Sequence, residues 1–199
     1  MRLSSFRLQT LVAVLLLWAS PAAAQSIGVK GGLDLSNLSL PEGRFAEDVT
    51  AQPGFTGGGL VRFGLGSRLG VQAEVLFSQK RSTLDETITH DVDMLEVPVL
   101  LRYRVFSAGG RPVHAFGGGF YGSVLSATET VLDQSFDLKP GISSSDYGAV
   151  VGGDIDIWNR LSIDGRYIYG MAKIYNTTGE RIGTRWSIQV AVAYRLFGS

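Results

Sequence analysis

Residues 186–196 read Trp-Ser-Ile-Gln-Val-Ala-Val-Ala-Tyr-Arg-Leu. Trp186, Ile188, Val190, Val192, Tyr194 and Leu196 fall at alternate positions, and Ser187, Gln189, Ala191, Ala193 and Arg195 fall between them. Side chains alternate across a strand with a period of two, so this pattern predicts a β-strand with two unlike faces. One face is apolar with an aromatic near each end. The other is small or polar.

The same two-faced pattern recurs upstream. In residues 161–171, Leu161, Ile163, Tyr167, Tyr169 and Met171 oppose Ser162, Asp164 and Arg166. In residues 147–158, Tyr147, Ala149, Val151, Ile155 and Ile157 oppose Asp154 and Asp156. In residues 94–106, Leu95, Val97, Val99, Leu101, Tyr103 and Val105 oppose Glu96, Arg102 and Arg104. Residues 69–80 set Val71, Ala73, Val75 and Phe77 against Gln72, Glu74, Ser78 and Lys80. Residues 54–63 set Phe55, Val61 and Phe63 against Thr56 and Arg62, and residues 27–36 set Ile27, Val29, Leu33 and Leu35 against Lys30, Asp34 and Ser36. Residues 113–126 form a Gly-rich segment whose outward face the pattern leaves open.

These segments make an all-β chain of eight strands, each able to supply the ~9–11 residues of a tilted membrane crossing. The connections alternate in length. Short ones fall at residues 64–68, 107–112 and 159–160, and longer polar ones at 39–53, 81–93, 127–144 and 172–183. Short and long turns on opposite rims suit an antiparallel up-and-down transmembrane β-barrel, with the short set on the periplasmic side. Both chain ends then lie on that side. Pro98 lies inside its segment and predicts a bulge or local break. Gly57–Gly59 and Gly117–Gly119 predict bends or room for large inward neighbours.

The charged strand residues share a face, and the opposite face is apolar. A soluble ligand-carrying barrel arranges its faces the other way round. Here the apolar face is expected to meet lipid, where a closed barrel pairs every backbone group internally. Phe63, Tyr103 and Tyr194, with Trp158, are expected to girdle the short-turn rim, and Phe77, Tyr147, Tyr169 and Trp186 the loop rim. The inward charges are Lys30, Arg62, Arg102, Arg104, Arg166 and Arg195 against Asp34, Glu74, Glu96, Asp154, Asp156 and Asp164, with Lys80 near the rim. An eight-stranded interior is just wide enough for side chains. Buried charges must be paired to be tolerated. The expectation is therefore a lumen filled by a paired network rather than an open channel.

The N-terminus reads differently. Arg2 and Arg7 precede an apolar run from Leu11 to Ala19, Pro21 breaks it, and Ala22, Ala23 and Ala24 follow. This is the pattern of a secretory signal peptide over residues 1–24, cleaved after Ala24, with the barrel domain over residues 25–199. The run is shorter than the roughly 20 residues of a spanning helix. Its removal takes two arginines from a chain with 18 basic and 18 acidic residues, for a formal charge of −2. That balance argues against nucleic acid as a partner.

With no cysteine in the chain, disulfides, thiolate metal sites and Cys nucleophiles are excluded. The histidines are His90 and His114. His90 sits in an acidic stretch, and His114 lies near a short-turn rim. A lipid-modifying enzyme would need a serine, a histidine and a carboxylate brought together, and the spacing points to no such set. Asp85, Glu86, Asp91 and Asp93 offer oxygens of the kind Ca²⁺ takes, although such a loop cluster is more often simply solvated. No catalytic, cofactor or metal residue is assigned. Asn176-Thr177-Thr178 matches a glycosylation sequon without further support.

Four stretches carry a resemblance. They are Gly-Val-Lys-Gly-Gly-Leu-Asp-Leu-Ser-Asn (28–37), Gln-Ala-Glu-Val-Leu-Phe-Ser-Gln-Lys (72–80), Leu-Glu-Val-Pro-Val-Leu-Leu-Arg-Tyr (95–103) and Tyr-Arg-Leu-Phe (194–197). Together they resemble the PorT-like outer-membrane β-barrel family common in Bacteroidota and their relatives. The resemblance implies a bacterial outer-membrane location and no assigned activity. It implies lipid and lipopolysaccharide as surroundings and the barrel-assembly machinery as a partner. It also leaves room for a surface or periplasmic protein partner, including a protein secretion system. The function expected is a structural, accessory or surface-interaction barrel without catalysis, with a lipid-modifying enzyme as the alternative.

Overall fold

The computed structural model describes residues 25–39, 49–84, 88–131, 134–137, 144–172, 175–177, 180–182 and 184–198. The signal-peptide expectation for residues 1–24 lies outside them. Eight long strands are β1 (Gln25–Ser39), β2 (Val49–Gly64), β3 (Leu69–Leu84), β4 (Ile88–Ala108), β5 (Arg111–Val131), β7 (Ser145–Trp158), β8 (Leu161–Gly170) and β11 (Thr184–Gly198). Each pairs antiparallel with the next, and β1 pairs with β11, so the sheet closes on itself. A closed meander leaves no free edge. The remaining strands are short. β6 (Gln134–Asp137) folds back on β5, and β9 (Tyr175–Thr177) pairs with β10 (Glu180–Ile182).

The short turns follow from local chemistry. Gly109 and Gly110 have φ of 57° and 79°, the two positive values that a tight two-residue hairpin requires. Asn159 and Arg160 make the equally short link between β7 and β8. The glycine runs serve close approach of strands. A Cβ on Gly118 would meet the Val99 carbonyl oxygen at 2.1 Å, and one on Gly58 would meet that of Val75 at 2.0 Å. Neither position has room for a side chain.

Two prolines mark departures from regular pairing. The β3–β4 ladder runs from Ala73↔Val99 to Leu76↔Glu96 and skips the pairs between, without changing register. Pro98, buried in β4, has no N–H to give there. The predicted irregularity is thus a gap in hydrogen bonding and not a bulge. In β2 the register shifts between Gln52 and Thr56, across Pro53.

The long connections differ from the sequence expectation. β3 and β4 continue in register through Arg81↔Asp91 to Leu84↔Ile88, so most of residues 81–93 is strand. β4 and β5 have 21 residues each. At about 3.3 Å per residue such a strand is about 70 Å long, roughly twice a tilted membrane crossing. Thr83, Thr89, Thr128, Thr130 and Val131 are β-branched, a class enriched in strands. The polarity of the threonines disguised them as loop.

The two faces separate as their chemistry requires. Val29, Leu33, Val75, Val99, Leu101, Val151, Ile188, Val190 and Val192 lie exposed on the outside. The Gly-rich β5 turns Phe116, Phe120 and Val124 inward and Tyr121 and Leu125 outward. Not all the interior is polar. Leu100, Phe116, Phe120, Val150 and Ile168 form one buried cluster, and Val92, Met94, Val124 and Ala127 form another.

Candidate functional site

The parity of each strand decides which side chains enter the lumen. In β8, Ser162, Asp164, Arg166 and Ile168 alternate buried against exposed neighbours. In β3, Gln72, Glu74, Leu76, Ser78 and Lys80 are buried between neighbours that are half-buried or, at Val75, exposed. Three groups of charges result, stacked from the loop end to the short-turn end.

The middle group centres on Arg166, whose side chain is fully buried. Its Nη1 and Nη2 donate to Glu74 Oε2 and Oε1 at 2.8 and 2.9 Å. Its Nε and Nη2 donate to Asp164 Oδ1 and Oδ2 at 2.9 and 2.7 Å. The guanidinium also sits 5.1 Å from the centre of the Phe116 ring. Lys30 Nζ lies 2.8 Å from Asp164 and 3.7 Å from Glu74. Gln72 donates to Glu74 and accepts from Arg62 Nε at 2.6 Å. β3 and β8 are not neighbours in the sheet, so the Arg166–Glu74 fork crosses the lumen. Two cations face two carboxylates, and the bidentate geometry is the strong form of such a contact.

The group nearer the loops is built on Lys80. Its Nζ lies 2.8 Å from Glu96 and 3.7 Å from Asp34. Ser78 donates to Glu96 at 2.7 Å, and Gln189 donates to Asp34 at 2.7 Å. The third group faces the short turns. Arg102 forks onto Asp154, with Nε and Nη2 at 3.0 and 2.6 Å, and His114 Nδ1 lies 3.0 Å from the same carboxylate.

The twelve charges named from the sequence therefore have different surroundings. Lys30, Asp34, Arg62, Glu74, Glu96, Arg102, Asp154, Asp164 and Arg166 are joined through the contacts above. Arg104, Asp156 and Arg195 are not part of these groups. Arg104 is exposed near the short-turn end of β4, just past the last β3–β4 pair, Leu69↔Tyr103. Arg195 donates to the Asn159 carbonyl, and all three line the short-turn mouth. The sequence placed Gln72, Gln189, Thr56 and Ser187 on the polar faces without assigning them to the network, and they are fully or nearly fully buried. Their inward parity was the available signal.

The named aromatics are also placed. Tyr103, Tyr147, Tyr169 and Tyr194 are exposed on the outer face. Trp186 is half-buried and stacks on Tyr167 with centroids 6.2 Å apart, and Phe77 tilts against Phe55 at 5.6 Å. Phe63 is half-buried and lines the mouth. Of the acidic residues considered for a cation, Asp91 pairs with Arg81 at 2.6 Å and Asp93 accepts from Ser126 at 2.7 Å. Asp85, Glu86 and the His90 side chain lie outside the described residues. No group of three metal-ligating side chains occurs among the described residues.

No curated protein matches this chain. Among solved structures, the attachment invasion locus protein Ail of Yersinia pestis is similar at 16% identity. The match covers 87% of this chain and 99% of Ail with a TM-score of 0.51. Neisserial surface protein A is similar at 11% identity over 86% of this chain and 99% of its own, with a TM-score of 0.59. At such identities the likeness is one of fold. The family described as "Outer membrane protein beta-barrel domain" matches residues 23–176. With its closed eight-stranded sheet, apolar exterior and charged interior, the chain belongs to the outer membrane protein beta-barrel family.

Proposed function

We propose that this is a sealed outer-membrane barrel with a structural, accessory or surface-interaction role, acting through its rims rather than by catalysis or conduction. The observation that carries the reading is the fork from Arg166 on β8 to Glu74 on β3, braced by Lys30 and Asp164. These side chains join strands on different sides of a lumen that is only wide enough for side chains. The outward face then meets lipid and lipopolysaccharide, and the barrel-assembly machinery inserts the chain after residues 1–24 are removed. The finer kinship with PorT-like barrels, and with it a role beside a secretion system, rests on the motifs around Lys30, Glu74 and Pro98. Variable function in such barrels sits in the loops.

Planar-bilayer recording tests the seal. The wild-type protein is expected to give no stable conductance steps. A variant with Lys30, Glu74, Asp164 and Arg166 all changed to serine is expected to conduct. Stable steps from the wild type would refute the seal.

A further inference from the structure

The short-turn mouth carries chemistry that the sealed lumen does not use. A cavity of about 210 Å³ opens there. Arg62, Arg68, Arg102, Arg104, Arg160 and Arg195 all line it, with Asp156 as its lining carboxylate. These arginines come from β2, β4, β11 and two different turns, so the closed barrel brings them together.

Their partners separate this site from the network above it. Arg102 is neutralised by Asp154. Arg62 donates to neutral acceptors, through Nε to Gln72 and through Nη2 to Ser162 at 3.4 Å, and feels the Asp154, Asp156 and Glu74 carboxylates only from further away. Arg195 is held by the Asn159 carbonyl. Among the described residues no carboxylate forms an ion pair with Arg62, Arg68, Arg104, Arg160 or Arg195. Arg62 and Arg195 are thus positioned by hydrogen bonds rather than by ion pairs, and the lining arginines other than Arg102 outnumber the lining carboxylate, Asp156. Arginine cannot shed its proton to relieve the crowding. A multivalent oxyanion relieves it, and the planar fork of the guanidinium matches phosphate oxygens in pairs.

We infer that the periplasmic mouth of the barrel is a binding site for a phosphate-type oxyanion. Arg62 and Arg195 are the fixed donors. Arg68 and Arg160, exposed on turns, close over the ligand from outside. The ligand is either a free phosphate compound or the headgroup of an anionic lipid. The volume suits a phosphate or diphosphate group with some of its water.

Isothermal titration of pyrophosphate into full-length barrel in maltoside detergent, which carries no phosphate, tests this directly. The comparison is the double variant Arg68→Gln/Arg160→Gln, whose changes lie outside the strand ladder. Its folding is checked by the shift between boiled and unboiled gel bands. Saturable, salt-sensitive binding that weakens about tenfold or more in the variant supports a site for free phosphate compounds. If pyrophosphate fails but phosphatidylglycerol in nanodiscs shifts the amide resonances of Arg68 and Arg160 in the wild type, and phosphatidylcholine does not, the headgroup is the ligand. Binding of neither probe, or equal binding by wild type and variant, would overturn the inference.

Discussion

Changing Arg166 to methionine is expected to cost about 3–5 kcal/mol of barrel stability, the range for stripping one partner from a buried charge group. The change removes four hydrogen bonds and leaves Glu74 and Asp164 facing Lys30 alone. The double change Arg166→Met with Glu74→Met is expected to recover much of the loss. It leaves one cation, Lys30, against one carboxylate, Asp164, at 2.8 Å. Urea unfolding of the refolded protein, followed by tryptophan fluorescence, gives both numbers and the coupling between the sites. Additive losses would mean that the two residues do not act as a pair.

The second large effect concerns the outer face. Val190 lies mid-strand in β11 and is 56% exposed. With Ile188 and Val192, also exposed, it forms a continuous apolar stripe of the kind that hydrocarbon accommodates. Val190→Arg is expected to cost about 2–4 kcal/mol in a bilayer, the range for a cation at the midplane. Leu196→Arg, near the short-turn end of the same strand, is expected to cost about 0–1 kcal/mol. The comparison is made in liposomes by the same urea titration. Equal, small costs at both positions would place β11 outside the membrane.

How much of this was legible in the sequence depends on the residue. The alternation from Trp186 to Leu196 reads directly as a strand with two faces, because side-chain period is a local property. The same is true of Leu161–Gly170, where buried and exposed positions alternate without exception after the first residue. The strand extensions above the barrel were less legible. Thr83, Thr89 and Thr128 are polar, and their backbone pairing needs a partner strand that only the fold supplies. Leu76, with no exposed surface, interrupts the otherwise polar inward face of β3, and one apolar residue on a polar face carries no periodic signal.

The inward charges were legible as a set but not as pairs. Arg166 meets Glu74 across 92 residues because β8 and β3 face each other across the lumen. No spacing rule gives that distance. Arg104 has the parity of an inward residue, yet it lies past the last β3–β4 pair, at the mouth. The arginine cluster there was missed for the same reason. Its members are scattered from Arg62 to Arg195 and meet only on closure.

Everything above turns on β11 presenting its apolar face to lipid and its polar face to the lumen. The chain has no cysteine, so single cysteines can be placed along the strand without a background. Spin labels at Ile188, Gln189, Val190, Ala191 and Val192 in reconstituted bilayers report which positions a lipid-confined relaxing agent reaches. Strong relaxation is expected at 188, 190 and 192 and little at 189 and 191. The opposite alternation, or relaxation of none of the five, would contradict that orientation.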